Sequence, residues 1–436
     1  MGTRLPHDRK RLRDMSIVWR KFQTVVRKAV AQLLVPLVHM VPFRHAGKGV
    51  AAGMTAPRCI LLMNGAHIGD LIVATSVIPI IRSAFPSAEI GVVTGSWSRM
   101  VVQDHPGVKY VYCVDHWLFN RSSDSLFQKI VRFRKTRRQA LKEIRRQQFD
   151  VAISLYVHFP DFLDISWAAG IPVRIGFTES LLSSLATDLV DKPNHPFMHQ
   201  GERLAELLRV LPIDPSNFWL RRSTLAPGDD HSIQEVCAVL QVQSLEGIHY
   251  SILHMGTGAK ERELPRSFWR ELAEKLSPSH ILLFTGRGER EEENITSVIS
   301  GLTHCVNACN RLSWSGFVEA VRHAELLYGV ESMAGHVAGA VRTKCIVVYA
   351  GAAGVARWRP EGKDSTVFTN HVPCAPCFRP AGCAAMTCLH GIVPDDLIRF
   401  QHDSDSGALF KKESPNSEIR EVLYGIKSIT PSDSNG

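Results

Sequence analysis

The chain has 436 residues, 45% hydrophobic and 21% charged, which is ordinary for a globular protein and longer than one domain needs. The formal net charge of +9 sits wholly in residues 1–50, where eleven Lys/Arg face two Asp, and the rest of the chain balances. These figures exclude a small single-domain protein and leave material for two cores.

Within the first fifty residues, Ile17 to Leu34 is amphipathic: Val18, Phe22, Val25, Ala29 and Leu33 share a face, with Arg20, Lys21, Arg27 and Lys28 largely away from it. Such a helix suits an anionic membrane surface, with Trp19 near the headgroups. The apolar stretch Ala29–Phe43 is too short to span and is interrupted by Gln32, Pro36 and His39. A signal peptide and a nucleic-acid arm are the alternatives; the first lacks a cleavage site after its apolar core, and no nucleic-acid partner is expected.

Cys59 to Thr94 is the most informative stretch. An apolar run (Ile60, Leu61, Leu62, Met63) stops at the polar turn Asn64–Asp70. A helix with Ile72, Val73, Val77, Ile80 and Ile81 follows, Pro86 breaks it, and a strand begins at Ile90. This is strand–loop–helix–strand, the unit of a parallel sheet, and it puts Asp70 at the carboxyl end of a strand, where open α/β sheets bind ligands. A helix-capping role is the alternative for Asp70. Next, Lys129–Arg146 carries nine basic residues with Glu143 as its one acid, on the helix expected before strand Val151–Leu155. That helix is either a solvated face or a surface meeting a phosphorylated or membrane-borne acceptor. His158, Asp161 and Asp164 follow the strand and face the Asp70 crevice, as acceptor contacts or ordinary caps; His195 and His199 lie in an interdomain or acceptor loop.

The polar stretch Arg221–His231 begins a linker. A second unit of the same kind opens at Tyr250, where strand Ser251–Leu253 enters the turn His254–Pro265 and a helix places Phe268, Leu272, Ala273 and Leu276 on one face. Strand Ile281–Phe284 ends in Thr285-Gly286-Arg287-Gly288-Glu289. The segment Glu325–Val330 ends at Glu331-Ser332-Met333-Ala334-Gly335-His336 before a small-residue helix, and strand Cys345–Tyr349 follows. Glycine-bearing loops that feed helix N-termini offer free N–H groups and a positive dipole end, which suit a diphosphate. Four cysteines, Cys374, Cys377, Cys383 and Cys388, crowd one loop and match a closed tetrahedral zinc or iron site, with free thiols and two disulfides as alternatives. The other six, in or near apolar segments, read as buried free thiols. No Walker loop, His-x-x-x-His pair or Gly-x-Ser-x-Gly turn is present. The organisation is thus a basic extension over 1–50, a first Rossmann-like domain over 51–230, a second over 231–400 with its Cys-rich loop at 374–388, and a polar tail over 401–436 in which Ser417–Ile426 reads as a short helix.

With these landmarks in order, the chain from about Arg58 to Leu397 resembles the heptosyltransferase family of bacterial lipopolysaccharide synthesis, glycosyltransferase family 9. The resemblance rests on Gly69-Asp70; on Phe149–Ile153 with Arg174-Ile175-Gly176-Phe177; on the loop His254–Pro265; on Thr285-Gly286 with Glu289; on Ser332 and His336; on Arg357-Trp358; and on Pro373 through Cys388. It implies an α/β fold of the GT-B type, two Rossmann-like parallel-sheet domains facing across a cleft, with acceptor on the first and nucleotide-sugar on the second. The implied reaction moves a heptose from ADP-heptose to a lipopolysaccharide core or related glycan acceptor with inversion, and no cofactor is required at the reacting centre. It also implies a cytoplasmic enzyme held peripherally on the inner face of the bacterial inner membrane.

An inverting transfer needs a base for the acceptor hydroxyl and stabilisation of the departing diphosphate. Asp70 matches the family's base, and its pKa, ordinarily near 3.9, must be raised by burial or a like charge for efficient work. Arg262 stands where the family has a lysine for the diphosphate, with Lys260 beside it. Gly69, Thr257 and Gly258 complete the implied binding set, Glu289 matches the ribose-binding carboxylate, and Ser332 and His336 match the diphosphate and sugar turn, to whose binding set Glu331 also belongs. The chain departs from the pattern at Glu331 (usually aspartate), at Met333 (usually glycine or similar) and at Glu263-Leu264, where a tryptophan is lost. These departures bear on the donor: a GT-B enzyme using another nucleotide-sugar, as transferase or epimerase, and a non-catalytic scaffold are the alternatives.

Overall fold

β1 (Cys59–Met63) is an unbroken apolar run because it lies inside a parallel sheet covered on both faces. In the computed structural model the described residues are 51, 56–195, 197–276, 280–351, 354–362, 364–370, 372–374, 377, 382–383 and 385–398, with the backbone of 426–429. The basic extension, with its expected membrane-surface helix, lies outside them apart from Ala51, whose N–H bonds to Asp188 Oδ1 at 3.2 Å.

β1 is joined by β2 (Glu89–Thr94), β3 (Tyr110–Cys113), β4 (Val151–Ser154), β5 (Val173–Phe177) and β6 (Asp188–Val190). The order is β3-β2-β1-β4-β5-β6 and every pairing is parallel. The second sheet contains β7 (Tyr250–His254), β8 (Ile281–Thr285), β9 (Cys305–Asn307), β10 (Leu326–Val330), β11 (Cys345–Val348), β12 (Ser365–Asn370) and β13 (Ile426–Ile429). Its order, β13-β12-β11-β10-β7-β8-β9, is again parallel throughout. Two parallel-sheet domains facing one another make the GT-B architecture that the sequence implied. One detail differs from expectation: Ile426, read as the end of a helix, opens β13, which uses the otherwise open backbone edge of β12. The remainder of that expected helix lies outside the described residues.

Strand order reverses between β1 and β4 in the first sheet and between β7 and β10 in the second. At such a switch point the neighbouring loops part and leave a crevice at the carboxyl ends of the strands. The two crevices face each other because helix Ile68–Ala74, after β1, packs on helix Met333–Val341, after β10. One apolar cluster accordingly runs from Ile60 and Leu71 through Val337 and Ala338 to Ile252. Among the described residues no helix is long and apolar enough to cross a membrane.

Candidate functional site

On the first domain, the turn after β1 is fixed before any ligand arrives. Asn64 Nδ2 donates to Leu155 O at 3.1 Å and to Asp70 O at 3.4 Å, and its Oδ1 accepts from Ala66 N. Trp97 Nε1 and Ser98 Oγ both donate to Ala66 O. His67 then enters the helix in an extended conformation without a side-chain cap. Asp70 stands in the first turn. Loss of water pushes its carboxyl up to about 6, against the lowering pull of backbone N–H groups at His67 and Asp70 and of Arg121. The carboxylate is therefore mostly ionised at pH 7 and basic enough to accept a proton.

Gly69 lies against the second domain. A Cβ there would lie 3.1 Å from His336 Cδ2 and 3.9 Å from Met333 Cα. The helix that carries His336 begins at Ser332, whose Oγ accepts from Ala334 N at 3.4 Å. Burial lowers the His336 pKa to about 4 against the raising field of Glu361, so its ring is neutral and keeps one donor and one acceptor nitrogen.

On the second domain, the loop after β7 turns at Thr257, whose Oγ1 accepts from Ala259 N at 2.9 Å. Gly258 O accepts from Arg121 Nη1 of the first domain at 3.4 Å, a polar contact across the cleft. A single 3-10 turn, Lys260–Arg262, follows; Lys260 places only its backbone within the described residues. Arg262 Nη1 pairs with Glu331 Oε1 at 2.6 Å. Arg262 Nε and Glu331 Oε2 are both buried without a hydrogen-bond partner. Burial pushes Glu331 up to about 7 in spite of that arginine. Two polar atoms of one ion pair thus have bonding capacity left for a polar ligand.

Glu289 is exposed at the start of helix Glu289–Ile299 and meets nothing in the cleft. Its neighbour Glu291, which the sequence reading passed over, leans across Gly256 and Gly286, close enough that a Cβ on either glycine would collide with its carboxylate. Arg287 N donates to Glu291 Oε2 at 3.0 Å. With Met255, Glu263, Leu264 and Arg266 it lines a small open crevice between the β7 loop and the helix. Four glutamates lie within residues 289–293, and the helix turns Glu291 toward Gly256 and Gly286 while Glu289 is exposed. Arg121 was missed too, because it sits in a connecting loop with no motif around it.

Other candidates resolve into supports. Asp161 is buried, accepts from Ser180 Oγ and from Leu163 N, and so pins the loop after β4; burial pushes its pKa up to about 7. Asp164 pairs with Arg137 at 3.1 Å. His199 caps helix Gln200–Ala205 and reaches the second domain, with Nε2 3.0 Å from Arg359 O and Nδ1 3.5 Å from Glu361 Oε1. The cysteine loop is not gathered: Cys374 and Cys383 are exposed, Cys388 is buried in the apolar core of the second domain, and all four are free thiols. Among the described residues no three His, Cys, Asp or Glu side chains come together as a metal-binding group, so this donor set does not fit a metal as arranged. Of the other thiols, Cys237, Cys309 and Cys345 are buried, and Cys59, Cys113 and Cys305 are half-buried.

The sequence profile of glycosyltransferase family 9 (heptosyltransferase) matches residues 137–385. No curated protein matches the chain in sequence. Among solved structures, the ADP-heptose lipopolysaccharide heptosyltransferase II of E. coli is similar, with 17% identity and a TM-score of 0.62 over 79% of this chain and 97% of that one. A glycosyltransferase family 9 protein from Veillonella parvula has 15% identity and a TM-score of 0.62 over 78% of this chain and 95% of its own. The E. coli heptosyltransferase WaaC with ADP has 16% identity and a TM-score of 0.60 over 79% and 99%.

Proposed function

The chain belongs to glycosyltransferase family 9, the heptosyltransferase family, and from that premise we propose that it transfers a heptose from ADP-heptose to a lipopolysaccharide core or related glycan acceptor, with inversion. The observation that carries the reading is the meeting at Gly69, which sets the Asp70 turn of one domain against the Glu331–His336 turn of the other. Family structures solved with ADP and with a fluorinated ADP-heptose support the choice of donor.

In this reaction Asp70 takes the proton from the acceptor hydroxyl as that oxygen forms its bond to the anomeric carbon. The bond from that carbon to the diphosphate breaks on the opposite face, and its electron pair leaves with ADP. Arg262 meets the growing charge with a forked guanidinium, and the backbone of Thr257 and Gly258 adds to it. Glu331 holds Arg262 in place before the donor binds; afterwards its unpartnered oxygen is available to a sugar hydroxyl. Glu291 is the carboxylate for the ribose hydroxyls, above the crevice that receives the nucleoside. The extension over 1–50 keeps the enzyme at the cytoplasmic face of the inner membrane, where the acceptor lipid is.

Calorimetry with ADP, UDP, GDP and dTDP tests the reading, repeated with Arg262→Ala. The expected result is a preference for ADP, weakened 10- to 100-fold in the variant, the range of a lost charged hydrogen bond (about 1.5–3 kcal/mol). Preference for another nucleotide would keep the fold and discard the heptose. Binding of none would favour a scaffold.

A further inference from the structure

The longest helix of the first domain, Leu126–Gln147, begins with a capping box in which Ser125 accepts from Gln128 N and the Gln128 side chain accepts from Ser125 N. Its inner face, with Ala140, Leu141 and Ile144, packs on the sheet beside Met63 and Val93. Four of its basic residues have local duties. Arg137 pairs with Asp164, Arg132 with Asp124, Arg145 donates to Ala168 O, and Lys129 donates to Asn120 O. The other five, Arg134, Lys135, Arg138, Lys142 and Arg146, are exposed and pair with no carboxylate among the described residues. A merely solvated face interleaves both signs of charge, whereas Glu143 is the helix's sole acid.

The same outer face carries apolar residues at its N-terminal end. Phe127 is 75% exposed, and Leu126 and Val131 are exposed beside it. By helical period Phe127, Val131, Arg134, Lys135, Arg138 and Lys142 form one stripe, apolar at one end and cationic along the rest. The apolar end lies at the rim of the cleft, because the loop leading into it holds Arg121 against Gly258 and Asn120 under Lys129.

We propose that this face docks on an anionic lipid bilayer, with Phe127 and Val131 entering the headgroup layer and the basic stripe lying along the lipid phosphates. Charge complementarity chooses the occupant. The basic extension of this chain cannot cover the stripe, since both are strongly positive. A nucleic acid would meet the charges and a base can stack on Phe127, but it would gain nothing from Leu126 and Val131, whereas a headgroup layer takes up all three. Docked in this way, the helix brings the mouth of the cleft to the membrane plane, so a lipid-borne acceptor reaches Asp70 without leaving its leaflet. The proposal does not depend on which sugar is transferred.

The test is co-sedimentation of the full chain with vesicles of phosphatidylglycerol and phosphatidylcholine, or of phosphatidylcholine alone. It compares the parent with a K135Q/R138Q/K142Q triple variant and with Phe127→Ser. Each basic side chain near an anionic surface contributes roughly fivefold to partitioning, so the triple variant should bind anionic vesicles about 100-fold more weakly. Phe127→Ser should weaken binding even at salt concentrations that screen the charges. Nucleotide affinity should be unchanged in both. Unchanged partitioning of the two variants would assign all membrane contact elsewhere and overturn the proposal. So would equal binding to neutral vesicles, or a mixed-sequence DNA duplex that outcompetes the anionic vesicles at the same ionic strength.

Discussion

Glu331 and Glu361 are two carboxylates of the second domain, each drawn out of water beside an arginine, and they end in opposite states. Glu361 uses both oxygens. Oε1 meets Arg221 Nη1 at 2.5 Å, with His199 Nδ1 3.5 Å away, and Oε2 accepts from Ser223 N. Burial works against its charge, but His199, Arg221 and the Ser223 N–H outweigh burial and hold the carboxyl below its ordinary range. Glu331 uses one oxygen, on Arg262, and is pushed up to about 7. A buried charge with all its partners is a fastener between domain and linker. One with a partner missing keeps its energy available for something that binds.

Asp70 belongs with Glu331, and replacing it gives the largest expected effect. Asp70→Asn should lower transfer about 1000-fold, the range for loss of a general base. The parent's rate should rise with pH through about 6 and then level, following ionisation of the carboxyl. Stability should move the other way. The folded pKa lies above the ordinary value of 3.8, so the folded state binds the extra proton and parent stability declines as pH rises between those values. The neutral amide of the variant carries no such penalty, and at pH 7 denaturant unfolding should show the variant more stable by about 1–2 kcal/mol, discounted for the water that still reaches the group. A variant both inactive and less stable would make Asp70 a structural cap.

Glu361→Gln tests the other side of the comparison. Arg221 and His199 lose their charged partner, and unfolding free energy should fall by about 2 kcal/mol at pH 7. ADP affinity should stay within about twofold, because both Glu361 oxygens are committed to Arg221, His199 and Ser223 N and not to Arg262. The parent's own stability should decline in acid. Glu361, held below its ordinary range, loses its contribution as it protonates; His199, held near 3 chiefly by burial, favours the protonated unfolded chain once pH drops below about 6.5. In the variant that acid slope should be shallower. Loss of nucleotide binding with intact stability would erase the distinction between the two glutamates.

The sequence made the first of these sites more legible than the second. Parallel strands carry their own signature, continuous apolar runs such as Ile60–Met63 and Leu282–Phe284 ending at glycine-bearing turns, so both sheets and the Asp70 turn could be read in advance. Arg262 and Glu331 could be named, but their pairing could not, because it depends on how far the loops after β7 and β10 part at a switch point. His199 was legible as part of an interdomain or acceptor loop and Arg221 as the start of the linker, but their meeting with Glu361 was not: a polar hub between domains is assembled from residues far apart in the chain. Glu291 shows a finer limit. In a run of glutamates only the three-dimensional helix phase tells which carboxylate faces inward. In the cysteine loop, spacing alone does not say which thiols share an environment: Cys388 is buried in the apolar core while Cys374 and Cys383 are exposed.

The smallest predicted effect lies where the two kinds of site meet. Gly69→Ala puts a methyl 3.1 Å from the edge of His336, closer than a relaxed contact by a few tenths of an ångström. Alanine in a helix gains up to about 1 kcal/mol over glycine, which offsets much of the crowding, so the unfolding midpoint should barely move. Transfer is more sensitive, because a misplacement of about 1 Å between base and donor can cost a factor of 100. A shift of a few tenths should therefore lower kcat by about tenfold or less, and ADP affinity should change by less than that, because the methyl meets the donor domain at the edge of His336 and not at Arg262. A fall in stability with unchanged kcat would mean that the Gly69–His336 contact fastens the domains without setting the distance at which they react.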